Sequence, residues 1–212
     1  MQLYAGLVLY GVSMALMVRS SLGVMPWDVL HQGLSRQLGW SLGLVTIVLG
    51  AVVLLAWIPL RERPGLGTLS NVVVVGLAVD AALAVLPAPG GLAGWVAFGA
   101  SGILLNGVAT AAYIGVDLGP GPRDGLMTGL VRRTGGPVGL IRTAIEVVVV
   151  ATGWLLGGTV GVVTVLYAIT IGPLVHVLLP RFAVAAAQPA SSASGSGWRS
   201  RAASRASRTA RP

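Results

Sequence analysis

The stretch Ser21-Leu22-Gly23-Val24-Met25-Pro26-Trp27-Asp28-Val29-Leu30 returns 96 residues later as Asp117-Leu118-Gly119-Pro120-Gly121-Pro122-Arg123-Asp124-Gly125-Leu126. Around it, residues 6–76 lie on residues 102–172 without a gap, and 22 of those 71 positions are identical. Chance similarity between apolar runs would not keep Pro, Asp, Arg and Gly in register. The chain therefore consists of two fused copies of one unit, and that duplication constrains its topology more than any single motif does.

The solvent of this chain is lipid. Hydrophobic residues make up 55% of it, charged residues only 9%, and the mean hydropathy is +0.85, whereas a soluble domain carries roughly 25% charged residues. The formal charge of +8 does not point to nucleic acid. Arg199, Arg201, Arg205, Arg208 and Arg211 crowd the last fourteen residues, and without them the charge falls to +3. With no cysteine, disulfides, thiol chemistry and cysteine metal sites are excluded.

Six segments are long and apolar enough to cross a hydrocarbon core of about 30 Å: residues 2–18, 41–60, 68–86, 92–116, 138–156 and 159–179. The first lacks the basic flank and cleavage site of a signal peptide and reads as a retained span. Helices are required, because lipid offers no partner to backbone polar groups and no alternating ten-residue pattern suggests a barrel. Three spans per copy is an odd number. The second copy is then expected to enter the membrane from the opposite side, which gives inverted three-helix repeats. The domains follow as membrane repeat one over 1–90, membrane repeat two over 91–182, and a basic tail over 183–212. The tail is Ala, Ser, Gly and Arg with one Trp, and is expected to be disordered and cytoplasmic.

Arginine sets the orientation, since cytoplasmic loops retain positive charge. With both termini inside, the inner segments hold Arg61, Arg63, Arg123, Arg132, Arg133, Arg181 and the five tail arginines, and the outer segments hold only Arg19 and Arg36. The expected location is a bacterial inner membrane, crossed several times.

Each copy carries a second, shorter helix between its first two spans, over residues 29–38 and 125–133. Asp28 and Asp124, just after a proline, are expected to cap these helices. Ten helical residues rise about 15 Å, half a bilayer. Such helices lie in the interface or dip in as re-entrant half-helices whose positive ends face a shared central site. The patterns Gly39-x-x-x-Gly43, Gly135-x-x-x-Gly139, Gly11-x-x-x-Ala15 and Gly107-x-x-x-Ala111 suit close helix packing.

Ionisable groups inside spans are costly and usually face a cavity or a partner. Asp80, Arg142, Glu146 and His176 are such groups, and with Asp28 and Asp124 they are the candidate substrate or ion pathway. Arg142 and Glu146, four apart on one helix face, can pair. Asp80 and His176 occupy equivalent positions in the two copies and could face each other near the symmetry axis, as an acid and a titratable imidazole would in a proton-coupled carrier. Read as structure alone, the same four residues are one ion pair plus an acid and an imidazole near the membrane boundaries. Asn71, Asn106, Tyr10, Tyr113 and Tyr167 add hydrogen-bonding capacity between helices. No metal-ligand spacing, nucleophile elbow or phosphate loop is present, so neither enzymatic activity nor a cofactor is expected.

The segments Ser21-Leu-Gly-Val-Met-Pro-Trp-Asp-Val-Leu-His-Gln-Gly-Leu34, Trp57-Ile-Pro-Leu-Arg-Glu-Arg-Pro-Gly-Leu-Gly-Thr68 and Tyr113-Ile-Gly-Val-Asp-Leu-Gly-Pro-Gly-Pro-Arg-Asp-Gly-Leu-Met-Thr-Gly-Leu130 resemble the YczE-type bacterial integral membrane proteins of the YczE/YyaS/YitT group. The resemblance covers residues 2 to about 181. It implies a polytopic inner-membrane protein and supplies no site residues. Two functions stay open: a small carrier or exporter with a site between the copies, and a non-transporting scaffold or accessory subunit. The partners expected are the bilayer and an unidentified small-molecule substrate or partner protein, without nucleic acid. A homodimer fits either reading, because six short spans enclose little volume.

Overall fold

The computed structural model describes residues 1–183; the expected disordered tail lies outside them, apart from Ala183. Those residues form eight helices: α1 (Gln2–Ser20), α2 (Pro26–Leu38), α3 (Leu42–Leu60), α4 (Leu66–Val85), α5 (Gly91–Ile114), α6 (Pro122–Thr134), α7 (Val138–Leu155) and α8 (Val162–Phe182). Six of them, all but α2 and α6, are long and apolar enough to cross a membrane. The starts of α6, α7 and α8 fall 96 residues after those of α2, α3 and α4.

Both short helices begin earlier than the sequence suggests. Pro26 and Pro122 occupy the first turn, where a missing N–H costs nothing and the ring presets φ. Asp28 and Asp124 consequently fall inside the first turn, and neither helix has a side-chain cap. Both helices end at a left-handed glycine, Gly39 with φ 68° and Gly135 with φ 67°. A Cβ on either glycine would meet nothing within 4 Å. These two residues terminate helices and do not serve the helix packing expected of them.

The equivalent helices α1 and α5 pack together at the centre, with α4 on α1 and α8 on α5. Gly11 of α1 receives Ala78 of α4, and its counterpart Gly107 of α5 receives Leu174 of α8. Between α1, α5 and α8 lies a buried polar chain. Ser13 Oγ donates to the Tyr10 carbonyl at 2.6 Å, Asn106 Nδ2 donates to Ser13 Oγ at 2.8 Å, and Tyr167 OH donates to Asn106 Oδ1 at 2.8 Å. In lipid such bonds hold helices that gain little from apolar burial alone.

Each copy is completed by the other. The Gly67 N–H at the start of α4 donates to the Leu118 carbonyl before α6 at 2.8 Å, and the Val163 N–H at the start of α8 donates to the Leu22 carbonyl before α2 at 3.0 Å. Arg36 of α2 donates to the Gly157 carbonyl after α7, and Arg132 of α6 donates to the Arg61 carbonyl after α3. Correspondingly, α2 packs on α7 and α6 on α3.

The symmetry of the packing breaks between the second and third long helices of each copy. In copy one α3 and α4 are in contact, so close that a Cβ on Gly43 would overlap the Gly76 carbonyl. Their counterparts in α7 and α8, Gly139 and Gly172, have nothing within 4 Å of such a Cβ. The two helices of copy two stand apart. Gly76→Val should therefore cost about 1–3 kcal/mol through overpacking, whereas Gly172→Val should stay within about 0.5 kcal/mol. Thermal unfolding of the two variants in one detergent checks the contrast.

Candidate functional site

Two cavities lie between the copies, and they are built from equivalent positions. The smaller, of about 60 Å³, is lined by Asp28, His31, Thr46, Gly50 and Asn71 among others. The larger, of about 360 Å³, is lined at the corresponding places by Asp124, Met127, Arg142, Glu146 and Tyr167. Trp27, Tyr113 and Arg123 line both. Trp27 and Arg123 are themselves equivalent residues, from the first turns of α2 and α6. The difference in size follows from the break in symmetry: α3 closes on α4 beside the small cavity, and α7 stands off α8 beside the large one.

The small cavity contains the most deeply buried charge. Asp28 is 2% exposed, and its Oδ1 lies 3.0 Å from Nδ1 of the buried His31 one turn along α2. Asp28 Oδ2 is buried and has no hydrogen-bond partner among the described residues. A carboxylate oxygen removed from water without a donor is costly. Nearby, the Arg123 guanidinium sits over the Tyr10 ring with Cζ 5.5 Å from its centroid, and among the described residues it has no hydrogen-bond acceptor. Tyr10 in turn meets Tyr113 edge to face, with centroids 6.2 Å apart.

In the large cavity Arg142 Nε pairs with Glu146 Oε1 at 3.2 Å, as the four-residue spacing requires. Asp124 Oδ2 accepts from Tyr113 OH at 3.2 Å. His176 lines the same cavity from α8, with no hydrogen-bond partner among the described residues. The structure thus brings Asp124, Arg142, Glu146 and His176 together and sets Asp28 across the shared wall from them.

Asp80 lies elsewhere. Its Oδ2 accepts from Ser41 Oγ at 2.6 Å and its Oδ1 from the Gly43 N–H at 2.7 Å, so it caps the start of α3 from α4. It does not face His176. Two exposed donors at a helix N-terminus attract a carboxylate, and at the corresponding place beside His176 the sequence has Pro137 and Gly139. Sequence reasoning passed over His31, Trp27 and Arg123. His31 stands three residues after Asp28, a spacing that puts both on one helix face. That Arg123 lines one cavity with Asp28 depends on how the two copies come together and leaves no local signature.

Eight helices, six of them long and apolar enough to span, packed around an apolar core that holds a few polar groups, make this an integral membrane protein. The chain belongs to the DUF6198 family, a family of unknown function whose pattern it matches over residues 1–180. It is similar to an uncharacterized protein of Haemophilus influenzae strain Rd, with 40% identity over 173 residues covering 82% of this chain and 79% of that one. It is also similar to the uncharacterized membrane protein YczE of Bacillus subtilis strain 168, at 31% identity covering 84% of each. The uncharacterized protein YyaS of the same strain is 27% identical, covering 82% of this chain and 89% of its own. No solved structure matches.

Asp80→Ala should leave the Gly43 N–H at the start of α3 without its acceptor, while Ser41 Oγ still accepts from the Leu44 N–H at 3.2 Å, and cost about 0.5–2 kcal/mol. His176→Ala, which breaks no hydrogen bond among the described residues, should leave the thermal midpoint unchanged. Unfolding curves of the two purified variants against the parent protein check both.

Proposed function

We propose that the protein is a small non-enzymatic carrier whose substrate passes between two inverted repeats. The observation that carries this reading is the inequality of the two equivalent cavities: one copy is closed through Gly43 on Gly76, and the other is open, with Gly139 and Gly172 apart. Two copies of one unit in two conformations are what alternating access needs, because exchange of the two conformations reverses which side is open. In this reading α2 and α6 are half-helices entering from opposite faces. The joint lining of both cavities by Trp27 and Arg123, from their first turns, supports that arrangement. Asp28, Asp124, Arg142, Glu146 and His176 form the pathway, while Asp80 holds α3 against α4.

The termini lie on the cytoplasmic side of a bacterial inner membrane, as the arginine distribution favours. The natural absence of cysteine makes this testable. An impermeant maleimide applied to intact cells should label Arg36→Cys and leave Arg132→Cys untouched. Equal labelling of both would refute the inverted arrangement.

Closure of copy two is tested by the pair Thr143→Cys and Gly172→Cys, the counterparts of Ile47 and Gly76, which touch. In native membranes this pair should cross-link, and so should the control pair Ile47→Cys and Gly76→Cys. Gly172→Val, although folded, should abolish cross-linking between Thr143→Cys and a cysteine placed on the same face of α8 at Ile169. Absence of any cross-link in copy two, with the control intact, would mean two static halves. That result favours the scaffold reading, for which the apolar faces of α7 and α8, including the exposed Val148, Leu155 and Ile169, offer a surface for a partner helix or a second copy.

A further inference from the structure

We infer that the small cavity binds a net-neutral zwitterion, a molecule of glycine or alanine size with an ammonium group on Asp28 and a carboxylate on Arg123. The proposal deepens the carrier reading and rests on it for what the binding serves. Three observations lead to it. Asp28 lines the cavity, and its buried Oδ2 has no donor among the described residues. Arg123 lines the same cavity and, among the described residues, has no acceptor for its guanidinium. The two are not paired with each other, since no salt bridge joins them.

A buried carboxylate oxygen calls for a charged donor, and a guanidinium fork is shaped to receive a carboxylate with two parallel hydrogen bonds. One ligand carrying both groups meets both needs. A ligand of single charge would meet only one of them and would face the other group as a like charge. An inorganic cation would meet Arg123, and a simple anion would meet Asp28.

The wider charge distribution agrees. The large cavity that adjoins the site holds Arg123 and Arg142 against Asp124 and Glu146, so its carboxylates and guanidinium groups balance. Such a chamber neither concentrates nor repels a net-neutral solute, whereas a carrier of cations or anions gains from an excess of the opposite sign. Size limits the ligand. About 60 Å³ is the space of roughly four to six water molecules at 10–15 Å³ each, which suits five or six heavy atoms. The Trp27, Tyr10 and Tyr113 rings leave the short apolar part of such a molecule without polar demands.

The test uses the full chain in detergent, where binding is read without flux. Glycine, L-alanine and β-alanine are compared with ethylammonium and acetate at equal ionic strength, by equilibrium dialysis of the labelled probe and by the thermal midpoint. At least one zwitterion should bind at millimolar concentration or below, and ten-fold or more tighter than either singly charged probe. Asp28→Asn and Arg123→Gln should each weaken that binding at least ten-fold. The proposal is overturned if no zwitterion binds, if ethylammonium or acetate alone binds as tightly, or if both substitutions leave binding unchanged. Should Asp28→Asn fail to fold, the comparison of probes on the unmodified chain decides by itself. Zwitterion binding in a protein whose α7 and α8 never cross-link would uphold this site and remove the carrier reading, so the two fail separately.

Discussion

Every span in this molecule must settle its own backbone, because the hydrocarbon around it supplies neither donors nor acceptors. Helix interiors do so unaided, but helix starts do not, since their first N–H groups have no partner within the helix. The starts of α4 and α8 are satisfied across the boundary between the copies, through Gly67 on Leu118 and Val163 on Leu22. That exchange draws each short helix against the long helices of the other copy. From it follow the central α1 and α5 contact, the seating of α2 on α7 and α6 on α3, and the existence of paired cavities. Thr68 adds a bond to the Pro120 carbonyl at 2.7 Å on one side.

Much of the architecture was legible because it depends on local chemistry repeated twice. Proline after glycine stops one helix and starts another, and an apolar run of about twenty residues is a span. Spacing alone also disclosed the Arg142 and Glu146 pair. What stayed hidden is tertiary. Nothing in residues 41–43 announces that Asp80 will accept from Ser41 and Gly43, and so a residue that looked like part of a pathway turned out to secure a helix. The alignment equated Gly43 with Gly139 and Gly76 with Gly172 but carried no information on whether each pair would meet. The neighbourhood of Arg123 and Asp28 likewise depends on how two distant segments are brought together.

Duplication with divergence explains why the site is lopsided. Where copy one has Thr46 and Gly50, small residues that let the cavity wall close in, copy two has Arg142 and Glu146. Where copy one joins Asp28 to His31, copy two has Asp124 beside Met127 and satisfies it from Tyr113 instead. Asp80 and His176 extend the same pattern, one bonded and one without a partner among the described residues. The two copies kept the order of their helices and changed both the polar groups and the packing of the second long helix on the third.

The reciprocal bonds also bear on how the protein is made. A ribosome delivers copy one first, and at that moment the Gly67 N–H has no Leu118 carbonyl to meet. The Leu22 carbonyl has to wait longer still, for Val163 at the start of the last span. The first three spans therefore leave the insertion machinery as an unfinished half, with their short helix unseated until its counterpart arrives. Those two bonds cannot form before both copies are present, and a chain cut between α4 and α5 gives two fragments that each lack the partner for one helix start.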